Sequence, residues 1–289
     1  MTRDELQRKR RIGRFFLLAL TSSLLISAVS AQTKRLTEDE AWELVRQAYY
    51  AYFRDGKDPD RAILLLQRVL ASYPEGFRAT SPKNRDELIR KGDAAALERA
   101  LQEVGDERFD LDVDGCLTEI YYAAKKDFRK AAYYAERAMK RSPNSQRGSL
   151  EESRKVLLQR GEALPLMVLI NGRPVRWSAL SHPPKPEPKA LLVSLRETAE
   201  AADVEVVFDA KTGIAIFLGS KVEGQVKAGA SEVVINDKTV RLSTASSVVG
   251  GQLMVPLDFV VEHWHAKDVR WNEATKMLDV ILPTYPPKR

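Results

Sequence analysis

The feature that most constrains the fold is an internal duplication in the C-terminal half of the chain. The segment Ile170–Val175 (INGRPV) is repeated as Ile235–Val240 (INDKTV), and Leu191–Phe217 aligns with Leu253–Ile281. An Asn-Gly or Asn-Asp pair between apolar runs indicates a tight hairpin, because both central residues of such a turn need positive φ. Alternating and helical apolar spacings follow in the same order in each copy. The pattern predicts two related halves, each a β-hairpin, a helix and another β-hairpin.

The two predicted helices carry matching apolar stripes at i, i+3, i+4 and i+7. The stripes are Leu195, Thr198, Ala199 and Ala202 in the first copy and Leu257, Val260, Val261 and Trp264 in the second. The strand after each helix reaches an aromatic residue, Phe208 or Trp271. The alignment predicts that these two aromatics fill equivalent core positions. Truncation of Trp271 to alanine would then cost about 3–5 kcal/mol.

The duplicated pattern is similar to the copper amine oxidase N-terminal domain, also called the stalk domain of many exported bacterial proteins. The family pattern NG-x-x-V, L-V-P-L-R and A-x-x-V-x-W stands here as Asn236–Val240, Leu253–Asp258 and Val269–Trp271. Ser194 replaces the usual proline, and Asp258 the usual arginine. The resemblance implies a duplicated α+β module, and it implies that the family's catalytic domain is a separate, larger unit. We place this module at residues 164–289.

A second repeat is indicated in the N-terminal half. Pro74 and Pro143 each end a predicted helix pair, and their 69-residue separation is close to twice the 34-residue tetratricopeptide period. Counting back from each proline aligns Ala62 with Ala131. Small residues at such sites let paired helices approach closely.

Residues 36–162 are therefore predicted to form an all-α, tetratricopeptide-like helical array. The stretch Asp127–Ser145 resembles the second half of a tetratricopeptide repeat, and residues 84–104 are interpreted as a degenerate middle repeat. A final polar helix, Ser149–Gln159, would cap the stack, as terminal repeats must. An unrelated bundle of α-hairpins is the alternative. The predicted fold class is α+β, with this array followed by the duplicated module.

The first residues, 1–31, are typical of an export signal. A basic cluster over Arg8–Arg14 precedes Phe15–Val29, a run of 15 residues without a charged side chain. Val29 and Ala31 are spaced as in a small-residue cleavage site. Because a membrane-spanning helix needs about 20 apolar residues, the run favours a cleaved signal peptide over a retained N-terminal anchor. We expect an extracytoplasmic protein that meets a membrane only through this segment, if it stays uncleaved.

The net charge does not favour a nucleic-acid partner. The chain has 46 Lys and Arg against 40 Asp and Glu, but six of the basic residues and two of the acidic ones lie in residues 1–31. The remainder has 40 basic and 38 acidic side chains, a net charge of +2. Binding to a polyanion requires clustered positive charge, so we expect no nucleic acid among the partners.

Copper chemistry is not predicted, despite the name of the similar family. The chain has three histidines, His182, His263 and His265. On the predicted helix, residues two apart point about 200° away from each other, so His263 and His265 cannot reach one metal ion. The quinone cofactor of amine oxidases needs a tyrosine directly after an asparagine, and no asparagine here precedes a tyrosine. We expect no copper and no cofactor.

The residues Asp110, Asp112, Asp114 and Gly115 spell the opening of a calcium-binding loop. The twelfth position of that loop, where calcium needs a bidentate glutamate, is Tyr121. The alternative is an acidic first turn of a helix, which the helix dipole favours. We therefore assign no metal ligand here and leave calcium as the alternative.

No motif indicates an enzyme. The sequence contains no G-x-S-x-G, Walker loop or H-E-x-x-H pattern. Cys116 is the only cysteine, so no intramolecular disulfide can form, and a buried free thiol is expected. We predict no catalytic residue.

The leading functional hypothesis is a non-enzymatic scaffold at the cell envelope. The first helices of the repeats, within Thr37–Asp55 and Leu117–Lys125, would line a groove for a protein or peptide partner. The polar candidates for contact are Gln47 and Arg54. The β-rich module would present or anchor the partner. The alternative is that this module binds a cell-wall polymer or glycan and the helices serve as a spacer.

Overall fold

The computed structural model describes residues 35–54, 58–80, 110–179 and 186–286. Contacts divide the chain into two compact units, Met1–Ala41 and Trp42–Arg289. The described part of the first unit contains a capping box, in which the Thr37 N–H donates to Glu40 Oε2 (2.8 Å) and the Glu40 N–H donates to Thr37 Oγ1 (3.2 Å). The predicted export segment lies outside the described residues.

Helices precede a β-rich region, which confirms the predicted α+β class. The helices are α1 (Glu38–Tyr49), α2 (Pro59–Ser72), α3 (Val113–Glu119), α4 (Phe128–Arg141), α5 (Arg147–Gln159), α6 (Leu195–Ala201) and α7 (Leu257–His263). The π-helical turns Tyr50–Arg54 and Ile120–Ala124 extend α1 and α3, and a 3₁₀ turn covers Pro188–Ala190. None of the helices in the described ranges is long and apolar enough to cross a membrane.

The strands form one two-stranded ladder and three larger sheets among the described residues. The strands are β1 (Arg78–Thr80), β2 (Asp110–Asp112), β3 (Met167–Ile170), β4 (Arg173–Val175), β5 (Trp177–Ala179), β6 (Leu191–Ser194), β7 (Glu205–Asp209), β8 (Ile214–Leu218), β9 (Glu223–Lys227), β10 (Glu232–Ile235), β11 (Lys238–Arg241), β12 (Ser247–Val249), β13 (Gln252–Pro256), β14 (Asp268–Asn272) and β15 (Met277–Ile281). The larger sheets have the orders β11-β10-β9-β8-β7, β12-β13-β6-β5 and β14-β15-β3-β4.

Helices α2 and α4 resemble each other in length, capping and burial. Both have 14 residues. Each begins with an aspartate cap: Asp58 accepts from the Arg61 N–H (3.0 Å) and Asp127 from the Lys130 N–H (3.1 Å). The buried positions keep the 69-residue spacing: Ala62, Leu66 and Val69 recur as Ala131, Ala135 and Ala138. The two helices therefore correspond in length, cap and buried positions, while a tetratricopeptide-like repeat stays a prediction.

The two helix pairs contact each other directly. Gln67 of α2 donates to the hydroxyl of Tyr121 (3.3 Å). Lys125, just after α3, forms an ion pair with Asp60 at the start of α2 (2.6 Å). In the predicted array these are the first and third pairs, whereas each repeat of a stack contacts only its neighbours, so this contact does not confirm the array. The predicted middle repeat, residues 84–104, lies outside the described residues.

The β-rich module is a duplication at the level of strands. Each half contains three hairpins with a helix before the third: β3–β4, β5–β6, α6 and β7–β8, then β10–β11, β12–β13, α7 and β14–β15. The first hairpin of each half joins the last hairpin of the other half. Strand β3 pairs directly and in parallel with β15, whereas β10 reaches β8 through the additional strand β9. The sequence predicted two hairpins in each half, and the structure adds a third because β6 and β13 each pair with a short strand before them.

The two halves meet at the middle sheet around an approximate two-fold axis. Strands β6 and β13 pair antiparallel, with Val193 opposite Val255. These two valines are equivalent in the sequence alignment of the halves. In this pairing each copy covers the sheet edge that the other would leave open.

The hairpin turns adopt the predicted conformation. Asn171 and Gly172 have φ of 50° and 75°, and the equivalent Asn236 and Asp237 have φ of 47° and 61°. A Cβ on Gly172 would lie 2.2 Å from Asn144 Oδ1. Glycine is therefore required in the first copy, while an aspartate stands at the equivalent turn position of the second.

The predicted core positions of Phe208 and Trp271 are wrong. Phe208 is 36% exposed, and Trp271 is only partly buried against the core. Both lie on edge strands, β7 and β14, which have a neighbour on one side only. The aromatic residues at the centre of the module are Phe217 and Trp264, each fully buried.

Helices α4 and α5 cover the outer face of the sheet that contains β3 and β15. A shared apolar cluster joins them: Ala135, Met139, Leu150, Met167, Leu169 and Met277. At its border Arg147 pairs with Asp279 (2.7 Å), and Arg154 donates to the carbonyl of Thr275 (2.6 Å). An isolated 164–289 fragment would expose the strand side of this cluster, so binding experiments require the full chain.

Candidate ligand-binding groove

A groove of about 350 Å³ opens on the surface of the helical part. Its walls are the π-helical turn after α1, helix α3 and the connection between α4 and α5. The lining side chains include Phe53, Leu111, Cys116, Glu119, Ser145 and Gln146. Phe53 is 39% exposed, and Glu119 is exposed. The groove therefore presents an aromatic ring and a carboxylate to solvent.

The aromatic wall is held by its neighbours on the first helix. The Phe53 ring stacks on Tyr49, with 5.5 Å between ring centroids, and meets Tyr52 edge-on at 4.7 Å. Burial, and after it the negative charge of Glu119, raise the pKa of Tyr52. The end of the first helix and α3 thus face each other closely enough to interact electrostatically.

The floor of the groove is the first turn of α3. Asp112 caps this helix by accepting a hydrogen bond from the Gly115 N–H (3.0 Å). A Cβ on Gly115 would lie 3.2 Å from Gln146 Nε2. The glycine therefore lets the α4–α5 connection approach α3, and this approach forms one end of the groove.

The acidic cluster beside the groove is neutralised by two arginines of α4. One nitrogen of Arg141 bridges Asp112 Oδ1 (2.7 Å) and Asp114 Oδ2 (2.5 Å). Arg137 Nε donates to Asp114 Oδ1 (2.9 Å). Burial alone would lower the pKa of Arg141, but the hydrogen bonds and charges of Asp112 and Asp114 raise it. The cluster is a structural ion-pair network that joins α3 to α4.

This network bears on the calcium alternative. The guanidinium of Arg141 lies between the two carboxylates that a calcium ion would have to bridge. Asp114 is fully buried with both oxygens engaged. Within the described ranges, no group of three or more His, Cys, Asp or Glu side chains is arranged to hold a metal ion.

His263 and His265 lie on either side of the end of α7. Helix α7 ends at His263, whose ring lies 5.5 Å from that of Phe259. His265 follows the helix with φ of 52°, so the assumption that both residues lie on one helix is wrong. His182 lies outside the described residues.

The single thiol is not a nucleophile. Cys116 is buried, and this burial, followed by the charge of Asp112, raises its pKa to about 12. Because only the thiolate attacks electrophiles or binds metals, Cys116 contributes apolar surface to the groove and no reactive group at neutral pH.

The two polar residues predicted to contact a partner lie on α1 and its extension. Gln47 is exposed, and its amide donates to Glu43 Oε1 (2.9 Å). Arg54 is exposed, with its guanidinium 5.9 Å from the ring centre of Tyr50. Neither side chain lines the groove, and their role in binding stays a prediction.

Sequence reasoning missed the residues that do line the groove. Phe53 follows two other aromatic residues, Tyr49 and Tyr52, on the first helix. Three aromatic side chains so close together on one helix are a signal that one ring stays at the surface. Glu119 and Gln146 carry no such signal, because they come together only through the packing of α3 against the α4–α5 connection.

Comparison with known proteins identifies one part of the chain. Residues 169–280 match the family model of the copper amine oxidase N-terminal domain. That domain is the non-catalytic N-terminal part of its enzyme, which is compatible with a non-enzymatic role. Comparisons with curated proteins and with solved structures gave no match.

Proposed function

We propose that this chain is a non-enzymatic extracytoplasmic scaffold whose helical part binds a protein or peptide partner and whose β-rich module presents it at the cell envelope. The observation that carries the proposal is the groove between the first helices, with Phe53 and Glu119 on its walls. An apolar anchor beside a charged group suits a peptide that offers an apolar side chain next to a basic one.

The charges that line the groove are Arg78, Asp112 and Glu119, and Glu119 is the group that supports a basic partner. Asp112 is already paired with Arg141, whereas Glu119 makes no ion pair with any residue that the structure describes. An exposed carboxylate in a groove with apolar walls attracts a cationic side chain and penalises an anionic one. The contacts of α4 and α5 with the β-rich module support its presenting role, because they join the groove to that module through one apolar cluster.

Charge reversal in the groove is expected to weaken partner binding. We expect Glu119→Lys to lower retention of the partner from envelope extract by at least about tenfold, because it places two like charges together. The matched control is Glu232→Lys, an equal charge change at an exposed position of the β-rich module. Pull-down with full-length mature chain measures the effect. Equal retention by the two variants would contradict the assignment of the groove.

Export is expected to yield a mature chain that begins near Gln32. The basis is the Arg8–Arg14 cluster followed by the uncharged Phe15–Val29 run. Mass spectrometry of the N-terminal peptide, after separation of cytosol from envelope and medium, tests this result. Recovery of the protein in the cytosol with an intact Met1 end would rule out export.

A further inference from the structure

The β-rich module contains a pocket of about 300 Å³ that is separate from the helical groove. Its walls come from both halves: helix α6 and strands β7 and β8 of the first, and the β12–β13 turn of the second. The side chains relevant to binding are Arg176, Arg196, Phe208 and Gln252. The volume is at the lower end for small-molecule sites, about the size of one sugar ring with its substituents.

Two cations face this pocket. The side chain of Arg176 is 59% exposed, and its Nε lies 3.6 Å from Glu197 Oε1 in an ion pair. Glu197 also accepts hydrogen bonds from the Arg176 backbone N–H and from Gln252 Nε2. Arg196 is exposed and has no ion pair with a residue in the described ranges. The pocket therefore retains an unneutralised guanidinium, which binds carboxylates in a bidentate geometry.

The other surfaces of the pocket are suited to a sugar. Phe208, on edge strand β7, is 36% exposed and offers an apolar face. Gln252 Oε1 is buried and accepts no hydrogen bond from any group that the structure describes. A buried acceptor without a donor is costly, and a ligand hydroxyl would supply that donor. A ligand that meets all three demands carries a carboxylate, a hydroxyl group and an apolar ring face.

The duplication provides an internal comparison, because the second half keeps only one of the two cations: Arg241 stands where the first half has Arg176. Asp258 stands where the first half has Arg196, and it accepts hydrogen bonds from Ser243 Oγ (2.9 Å) and the Phe259 N–H (2.8 Å). The acidic residue is thus used within its own half. The pair formed by Arg176 and Arg196 is therefore not repeated in the second half, as expected for a binding site rather than a requirement of the fold.

We propose that this pocket binds the acidic sugar units of a glycan, with Arg196 and Arg176 holding the carboxylate, Gln252 Oε1 accepting from a hydroxyl and Phe208 packing on the ring. The proposal does not depend on the helical groove or on its partner.

Trigalacturonic acid is a suitable probe. Its fully methyl-esterified form, which has no charge, is the matched control ligand. Ligand-observed NMR and calorimetry with full-length mature chain should show binding of the acid and at least about tenfold weaker binding of the ester. Arg196→Ala should weaken binding of the acid by at least about tenfold, the effect of losing a charge-assisted hydrogen bond. Arg241 occupies the position of the second half that is equivalent to Arg176. Arg241→Ala should leave the affinity for the acid unchanged. Phe208→Ala should also weaken binding.

Several results would overturn the proposal. They are no binding of the acid, equal affinity for acid and ester, or equal losses in Arg196→Ala and Arg241→Ala, which would indicate a non-specific charge effect. Tighter binding of an acidic tripeptide than of trigalacturonic acid would reassign the pocket to peptides. Because Arg196 is exposed, its variant should keep the wild-type melting temperature, and any loss of binding then reports on the site.

Discussion

Replacement of Trp264 with alanine is expected to lower the free energy of unfolding by about 3–5 kcal/mol, the range for a fully buried aromatic residue. Trp264 is fully buried at the end of α7, and its ring centre lies 5.6 Å from that of Phe217. Its carbonyl accepts a hydrogen bond from the Tyr285 hydroxyl (2.7 Å). The ring packs against Phe217 of the sheet, and its loss would leave a large cavity there, while the backbone carbonyl that holds Tyr285 stays in place. Urea denaturation of the full-length mature chain measures the change.

The matched control is Trp271→Ala, the same substitution at a partly exposed position of edge strand β14. The Trp271 indole donates to Glu273 Oε2 (2.8 Å) and lies under the ammonium group of Lys276 (5.7 Å from the ring centre). We expect a loss below about 2 kcal/mol, since less apolar area leaves water at this site. An equal or larger loss at Trp271 would restore the original assignment of the core and contradict the structure.

Asp114→Asn is expected to destabilise the chain by about 3 kcal/mol, because it removes a buried charge from two paired arginines. Asp114 is fully buried and accepts from Arg137 (2.9 Å) and Arg141 (2.5 Å). The same arginines donate to the carbonyls of Pro74 (2.6 Å) and Glu75 (3.0 Å), just after α2. The substitution keeps the shape of the side chain but replaces one acceptor oxygen with an amide nitrogen, so the measured loss combines the charge with one lost hydrogen bond.

Glu136→Gln is the control for this charge effect. Glu136 pairs with Lys140 one turn along α4 (3.3 Å), and both side chains are substantially exposed. Such a pair contributes about 0.3–0.5 kcal/mol, so the variant should be nearly as stable as the wild type. Thermal and urea unfolding of both variants would show the difference. A loss below about 1 kcal/mol for Asp114→Asn would mean that the network is not a main tie between the helices.

The candidate sites were less predictable than the elements that carry them. The sequence drew attention to Asp112 and Asp114 as a calcium motif, but their spacing does not reveal that Arg141, on another helix, lies between them. Phe208 was expected in the core because it matches Trp271 in the duplication. Whether a strand lies at the edge of a sheet depends on the order of the strands. The alternation of apolar residues along one strand does not reveal that order. For that reason the pocket of the β-rich module could not be anticipated.

The sequence by itself determined the local structure and the repeats. Asn-Gly and Asn-Asp turns, aspartate caps and apolar stripes act within a few residues, so the hairpins, the helices and their 69-residue spacing could be predicted. Only the tertiary structure decided how the copies combine: the exchange of hairpins between the halves, the pairing of Val193 with Val255, and the cover of α4 and α5 over β3 and β15. These contacts join residues far apart in the chain. They depend on which apolar faces remain unburied once the local elements have formed. No short sequence pattern predicts which of these faces pack together.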